Sequence, residues 1–156
     1  MQRSAFLTMT AFSFLSLIQT GCGESRQPAP PNIRLGETAC IECGMIVSDN
    51  RFGTATVIEG DRGSDAMIFD DFNCQLAFEA KHPDLQIIAR WSRDYETLEW
   101  LDTSEAWFVN SSKIFTPMAS HLAAFKDRAD AEMVADDLDG VVQDFNACGT
   151  SISREP

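Results

Sequence analysis

The order of strand-like and helix-like segments constrains this chain more than any other feature. Phe52–Glu59 alternates as a strand and is closed by Gly60-Asp61-Arg62-Gly63, and Ala66–Phe69 reads as a second strand. Asp70 or Asp71 then caps a helix running to about Lys81, with Phe72, Leu76 and Ala80 at helical spacing and Pro83 beyond its end. Leu85–Trp91 returns as a strand. The second half repeats this order loosely. Glu96–Leu101 and Ala106–Val109 read as strands, Leu122–Asp139 as largely helical with a break near Asp127-Arg128, and Val141–Phe145 as a last strand after Gly140. The expected fold is therefore α+β, with two small related strand-strand-helix-strand units packed together, over about 40–91 and 95–145 of a domain spanning 36–146. Residues 147–156 read as a mobile tail.

A chain of 156 residues that is 44% apolar can bury a core of this size. Its net charge of −12 repels phosphate backbones, so the composition argues against nucleic acid as a partner. The first 21 residues read as a signal peptide: Arg3, then an uncharged, mostly apolar run from Ala5 to Ile18, then Thr20-Gly21 before Cys22. That run is too short to span a bilayer as a helix. Thr20-Gly21-Cys22 resembles a bacterial lipobox, with Gln19 departing from its usual aliphatic residue, so Cys22 reads as the lipidated first residue. The proline-rich stretch within 22–35 reads as a flexible tether. These features imply a lipid-anchored protein of the bacterial envelope, at the outer membrane, with its domain facing the periplasm.

Five cysteines are an odd number for an exported chain, and lipidation of Cys22 leaves Cys40, Cys43, Cys74 and Cys148. The densest chemistry lies in Cys40-Ile41-Glu42-Cys43-Gly44-Met45. Soft sulfur donors select Cu(I), zinc or an iron–sulfur cluster over hard cations, and thioether favours Cu(I) over zinc. The same residues also fit a structural disulfide with Met45 in the core. A thioredoxin-like redox pair would sit at a helix start, whereas this stretch reads as a turn entering a strand. A zinc knuckle would need a second ligand pair, and neither Cys74 nor Cys148 has a Cys or His partner at metal spacing.

Thr116-Pro117-Met118 presents a second thioether from a constrained loop, and His121 follows three residues later. If a helix began there, Met118 and His121 would share a face. Against these readings stand a gap-filling Met118 and a solvated His121. Met67 and Met133 read as core residues, Cys74 as a buried small hydrophobe beside Phe78, and Cys148 as unpaired or incidental. His82 reads as a helix cap. Asp70-Asp71, Asp102 and Asp136-Asp137 read as caps and solvated faces.

Taken in order, Cys43-Gly44-Met45, Met67-Ile68-Phe69-Asp70-Asp71, Asp94-Tyr95, Trp107-Phe108-Val109, Thr116-Pro117-Met118 and Ala124-Phe125 resemble the NosL family of nitrous-oxide reductase accessory lipoproteins. The resemblance covers about Cys40 to Phe145. It implies a periplasm-facing copper chaperone, not an enzyme, that holds Cu(I) and passes it to the machinery assembling the reductase's copper centre. It places the family's metal ligands on Cys43, Met45 and Met118. Cys40 adds a thiol where many relatives have none, and Ala119-Ser120-His121 replaces a more glycine-rich stretch, so Cys40 and His121 are further candidate ligands. Two rival readings remain: a thiol–disulfide oxidoreductase using Cys40 and Cys43, and a lipid-anchored interaction module whose sulfur cluster is only structural.

Overall fold

The computed structural model describes residues 27–61 and 63–152, so the leader, Cys22 and the first part of the tether lie outside the described residues. Strands β1 (Thr54–Gly60) and β2 (Gly63–Phe69) form a hairpin, helix α1 (Phe72–Lys81) follows, and β3 (Ile87–Arg93) returns along the other edge of β1. Strand β4 (Trp100–Asp102) adds to β3, giving an antiparallel sheet ordered β2-β1-β3-β4. The second unit runs β5 (Trp107–Asn110), β6 (Leu122–Phe125), α2 (Arg128–Asp137) and β7 (Val141–Asp144), with sheet order β6-β5-β7. In both units the first strand is central, the second flanks one side and the strand after the helix flanks the other. The expected duplication is therefore present as topology, and the fold class is α+β.

Several boundaries differ from the sequence reading. Leu122–Phe125 is strand β6, not the start of a long helix. Leu and Ala favour helix intrinsically, but every residue of this segment is buried against the neighbouring strand β5, and that packing overrides the propensity. Residues 95–97 form a turn, 98–99 are not strand, and the short strand after them joins the first sheet instead of opening the second unit. Helix α3 (Phe145–Ile152) occupies the start of the expected mobile tail, with Cys148 fully buried. The later part of the expected tether is also held: Ile33 is buried, and Gln27 donates to the Asp102 carboxylate at 2.6 Å.

Helix α1 begins because Asp71, extended at φ −158°, turns its carboxylate onto the backbone N–H of Asn73. It ends at His82, as expected of a cap residue, with the His82 N–H on the carbonyl of Glu79. Buried Gln75 donates to the carbonyl of Ala55 and to Thr56, while Thr56 and Arg90 both donate to Glu79. These bonds fix the rotation of α1 over β1 and β3. The apolar partners are Phe69 and Phe78, whose rings lie 5.4 Å apart, and burying each stabilises the fold by about 1.5–3 kcal/mol. That rotation turns Cys74 toward the end of β2. In the second unit, α2 packs its Ala131 and Ala135 against Val109, Ala123 and Phe125. A shared cluster of Phe72, Leu101, Phe108, Leu122 and Cys148 joins the two units. Gly140 is required where the chain leaves α2, because a Cβ there would lie 2.8 Å from Val109 and 3.1 Å from the carbonyl of Asn110.

Candidate metal centre

The loop before β1 folds into a tight turn in which the Cys40 N–H donates to the carbonyl of Met45 and the Gly44 N–H to that of Cys40. Gly44 sits at φ +76°, a conformation glycine adopts without steric cost. The turn is docked on the sheet by the Ile41 N–H, which donates to the carbonyl of Ile68 at 3.0 Å. An ion pair between Glu42 and Lys81 ties it to the end of α1. Cys40 and Cys43 are thereby laid over the β2–α1 junction, against Asp70 and Cys74.

The ligand atoms of Cys40, Cys43, Asp70 and Cys74 all lie within 4.8 Å of one another. Cys40, Asp70 and Cys74 are buried and Cys43 is partly open. The Cys43 sulfur lies 3.7 Å from a carboxylate oxygen of Asp70. Above the cluster opens a pocket of about 310 Å³ lined by Glu42, Cys43, Asn73, Cys74, Ala77 and Met118. All four cysteines among the described residues are free thiols. Burial pushes the Cys40 and Cys74 thiols above their ordinary pKa, so a bound cation would displace their protons.

Met118 is delivered by Asp71. One carboxylate oxygen of this buried cap accepts the Thr116 hydroxyl and the Met118 N–H, each at 2.7 Å, and the Ser120 N–H at 3.4 Å. Asn73 in turn donates to the Met118 carbonyl at 2.8 Å. The carboxylate that starts α1 thus also fixes the loop carrying the thioether. Three thiols, a carboxylate and a thioether converge on one opening, a donor set suited to a soft cation.

A family model for NosL matches residues 33–152. The chain belongs to the NosL family. Among solved structures, the crystal structure of the copper chaperone NosL from Shewanella denitrificans resembles this fold with a TM-score of 0.63, at 17% identity. The match covers 78% of this chain and 95% of that one. No curated protein sequence matches.

Within this NosL fold, the structure brings together Cys40, Cys43 and Met118 of the residues singled out from sequence. Met45 does not line the pocket: its side chain is 53% exposed, and its carbonyl closes the turn. His121 does not line it either. No helix starts after Met118, His121 sits at φ +57°, and its Nδ1 lies 2.8 Å from the carbonyl of Ile114. Two members of the cluster were legible only as something blander. Cys74 is buried beside Phe78 as expected, but its sulfur also faces the other thiols. Asp70 is a buried member of the same cluster and not a solvated face. The one available signal was a cysteine in the first turn of a helix, directly after a paired carboxylate.

Proposed function

We propose that this NosL-family protein is a Cu(I) metallochaperone of the bacterial envelope, anchored by a lipid at Cys22, that delivers copper for assembly of the nitrous-oxide reductase copper centre. The carrying observation is the thiol cluster of Cys40, Cys43 and Cys74 opening toward the Met118 thioether. Thiolate and thioether together favour Cu(I) over zinc and over hard cations. The copper-chaperone title of the Shewanella denitrificans relative supports the same reading. The leader sequence and the lipobox-like Thr20-Gly21-Cys22 support the anchor and the envelope location.

Release follows from the difference in exposure. Cys43 and Met118 stand at the pocket and are only partly buried, so a ligand from an acceptor can add before either lets go; Cys74 reaches the pocket wall but is buried, and Cys40 is buried behind it. A thiol–disulfide oxidoreductase is less well served. Cys40 and Cys43 lie in a turn and not at a helix N-terminus, and burial raises the Cys40 pKa, opposite to what an attacking thiol needs.

Anaerobic titration of the full-length protein with Cu(I) against a competing chelator tests the proposal. Wild type should bind tightly, and Cys43→Ser and Met118→Ala should each weaken binding. Unchanged affinity in both variants would remove the assigned site, and zinc in place of copper in protein purified without oxygen would replace the cargo.

A further inference from the structure

The turn that carries Cys40 and Cys43 occurs twice in this molecule. In the second copy the Asp94 N–H donates to the carbonyl of Glu99, the Leu98 N–H to that of Asp94, and the Tyr95 N–H to that of Ala124. These bonds repeat, one for one, those of Cys40, Gly44 and Ile41, and Leu98 takes the left-handed φ of +62° that Gly44 takes at +76°. Asp94 therefore stands where Cys40 stands, Thr97 where Cys43 stands, and Lys126, one residue past β6, where Asp70 stands one residue past β2.

The side chains in the two seats receive the same donors. The Asp94 carboxylate accepts the backbone N–H groups of Glu96, Thr97 and Lys126 at 3.1, 2.8 and 2.9 Å, plus the Thr97 hydroxyl at 3.0 Å. Around Cys40 the backbone N–H groups of Cys43, Asp70 and Glu42 favour an ionised sulfur, although burial outweighs them and pushes the thiol pKa up, and the Cys43 side chain lies beside it. Each donor on Cys40 has its counterpart on Asp94. A seat of three amides suits an anion, and the second copy fills it with one and closes over it. In the first copy the seat holds sulfur, the neighbour is a second thiol, and the pocket stays open.

We propose that Cys40 is the fixed ligand of the metal site: its sulfur occupies an anion seat that the fold builds twice, and it holds the cation from behind while Cys43 and Met118 exchange with an acceptor. Cys40 and Cys43 would both hold the cation, at the two positions that the Thr97 hydroxyl joins to Asp94 in the second copy. This rests on the metallochaperone reading above and adds to it a ligand that the position of Cys43, Met45 and Met118 does not imply.

The test uses the full-length protein without oxygen, read by competitive Cu(I) titration, copper X-ray absorption and thermal melting. In Cys40→Ser a hydroxyl still accepts the same amides, so the melting temperature should stay within a few degrees. Cu(I) affinity should fall beyond the roughly 10–100-fold typical of an outer partner, and the number of sulfur scatterers should drop by about one. A paired Cys40→Asp, Asp70→Lys variant rebuilds the second copy in the first and should fold while binding no Cu(I). An unchanged sulfur number in Cys40→Ser, or wild-type affinity in the paired variant, overturns the proposal. If Cys43→Ser still weakens binding in that case, the chaperone reading survives alone. Absence of Cu(I) binding by wild type overturns both.

Discussion

At the β2–α1 junction, Phe69-Asp70-Asp71 leads into a helix whose first turn carries Cys74 to the other thiols. At the β6–α2 junction, Phe125-Lys126-Asp127 leads into a helix whose first turn carries Asp130. Asp71 caps its helix and grips the Met118 loop, whereas Asp127 makes no side-chain cap bond at all. The turns laid over the two junctions diverge in the same way. Ile41 is 52% exposed at the rim of the first. Tyr95, its counterpart, packs against Phe52 and Phe125 with the Arg51 guanidinium 5.3 Å from its ring centre. One half uses the shared architecture for chemistry, leaving polar sulfur and an apolar rim open. The other uses it for cohesion. Fold alone does not make the site; the residues placed at four equivalent positions do.

The comparison breaks most sharply at Asp71. Asp71→Ala leaves the N–H groups of Asn73, Met118 and Ser120 without their acceptor, which should cost on the order of 3 kcal/mol in denaturant unfolding. It should also lower Cu(I) affinity, because Met118 loses its seat. Asp127→Ala, the equivalent change, should cost only a few tenths of a kcal/mol, since no cap bond is lost. Comparable losses from the two would show that the halves are not divided as described.

Asp94→Asn comes next, with an expected loss of about 2 kcal/mol at neutral pH and no change in Cu(I) affinity. Burial alone would raise the Asp94 pKa, but the backbone N–H groups of Thr97 and Lys126 and the Thr97 hydroxyl outweigh it and hold the carboxyl below its ordinary range. Stability from an ionised Asp94 is full above the unfolded pKa of about 3.9 and is lost as pH falls through the lower folded value. The gap between wild type and Asp94→Asn should therefore begin to close below about pH 4 and vanish only once the pH lies under the depressed folded value. A constant gap across the acid range would mean that the charge is not what the seat holds.

Smaller effects sharpen the picture further. Leu98→Gly should stabilise the second turn by about 1 kcal/mol, and Gly44→Leu should destabilise the first by a similar amount, because both positions are left-handed. No atom lies within 4 Å of a Cβ at Gly44, so backbone conformation alone sets that cost. His121→Ala should leave the pH profile of Cu(I) affinity superimposable on wild type, given that His121 faces Ile114 and not the pocket. Weaker Cu(I) binding in His121→Ala than in wild type would restore the imidazole to the ligand set.

How much of this was legible in the chain depends on distance along it. Cys40, Cys43 and Gly44 are local, and a glycine after paired thiols announces a turn wherever it occurs. The helix over 72–81 was readable from its cap and its closing Pro83. Cys74 joined the site through the rotation of α1, which depends on Gln75 reaching Ala55 and Thr56 some twenty positions back, and Asp70 through the end of β2, on which the Cys40–Cys43 turn is docked. No periodicity reports such a bond. Leu122–Phe125 misled for a different reason, because its side chains favour helix while its neighbours demanded strand. Met45 lies two residues from Cys43 yet does not line the pocket, because nearness in sequence does not place two side chains on the same side of a tight turn.

The bonds that Asp71 and Asn73 make to Met118 bear on how the proposed cargo would leave. Both main-chain groups of Met118 are committed, its N–H to Asp71 and its carbonyl to Asn73. The loop cannot swing away without breaking the cap of the helix that also holds Cys74. What remains is the thioether arm itself, half-buried against the cluster yet able to turn about its own side-chain bonds without moving the backbone. Such rotations take picoseconds to nanoseconds, against microseconds or longer for collective displacement of backbone segments. In the proposed hand-over, a gate made from one methionine arm would move faster than the loop that carries it, which leaves the arrival of the acceptor's ligand as the expected waiting step.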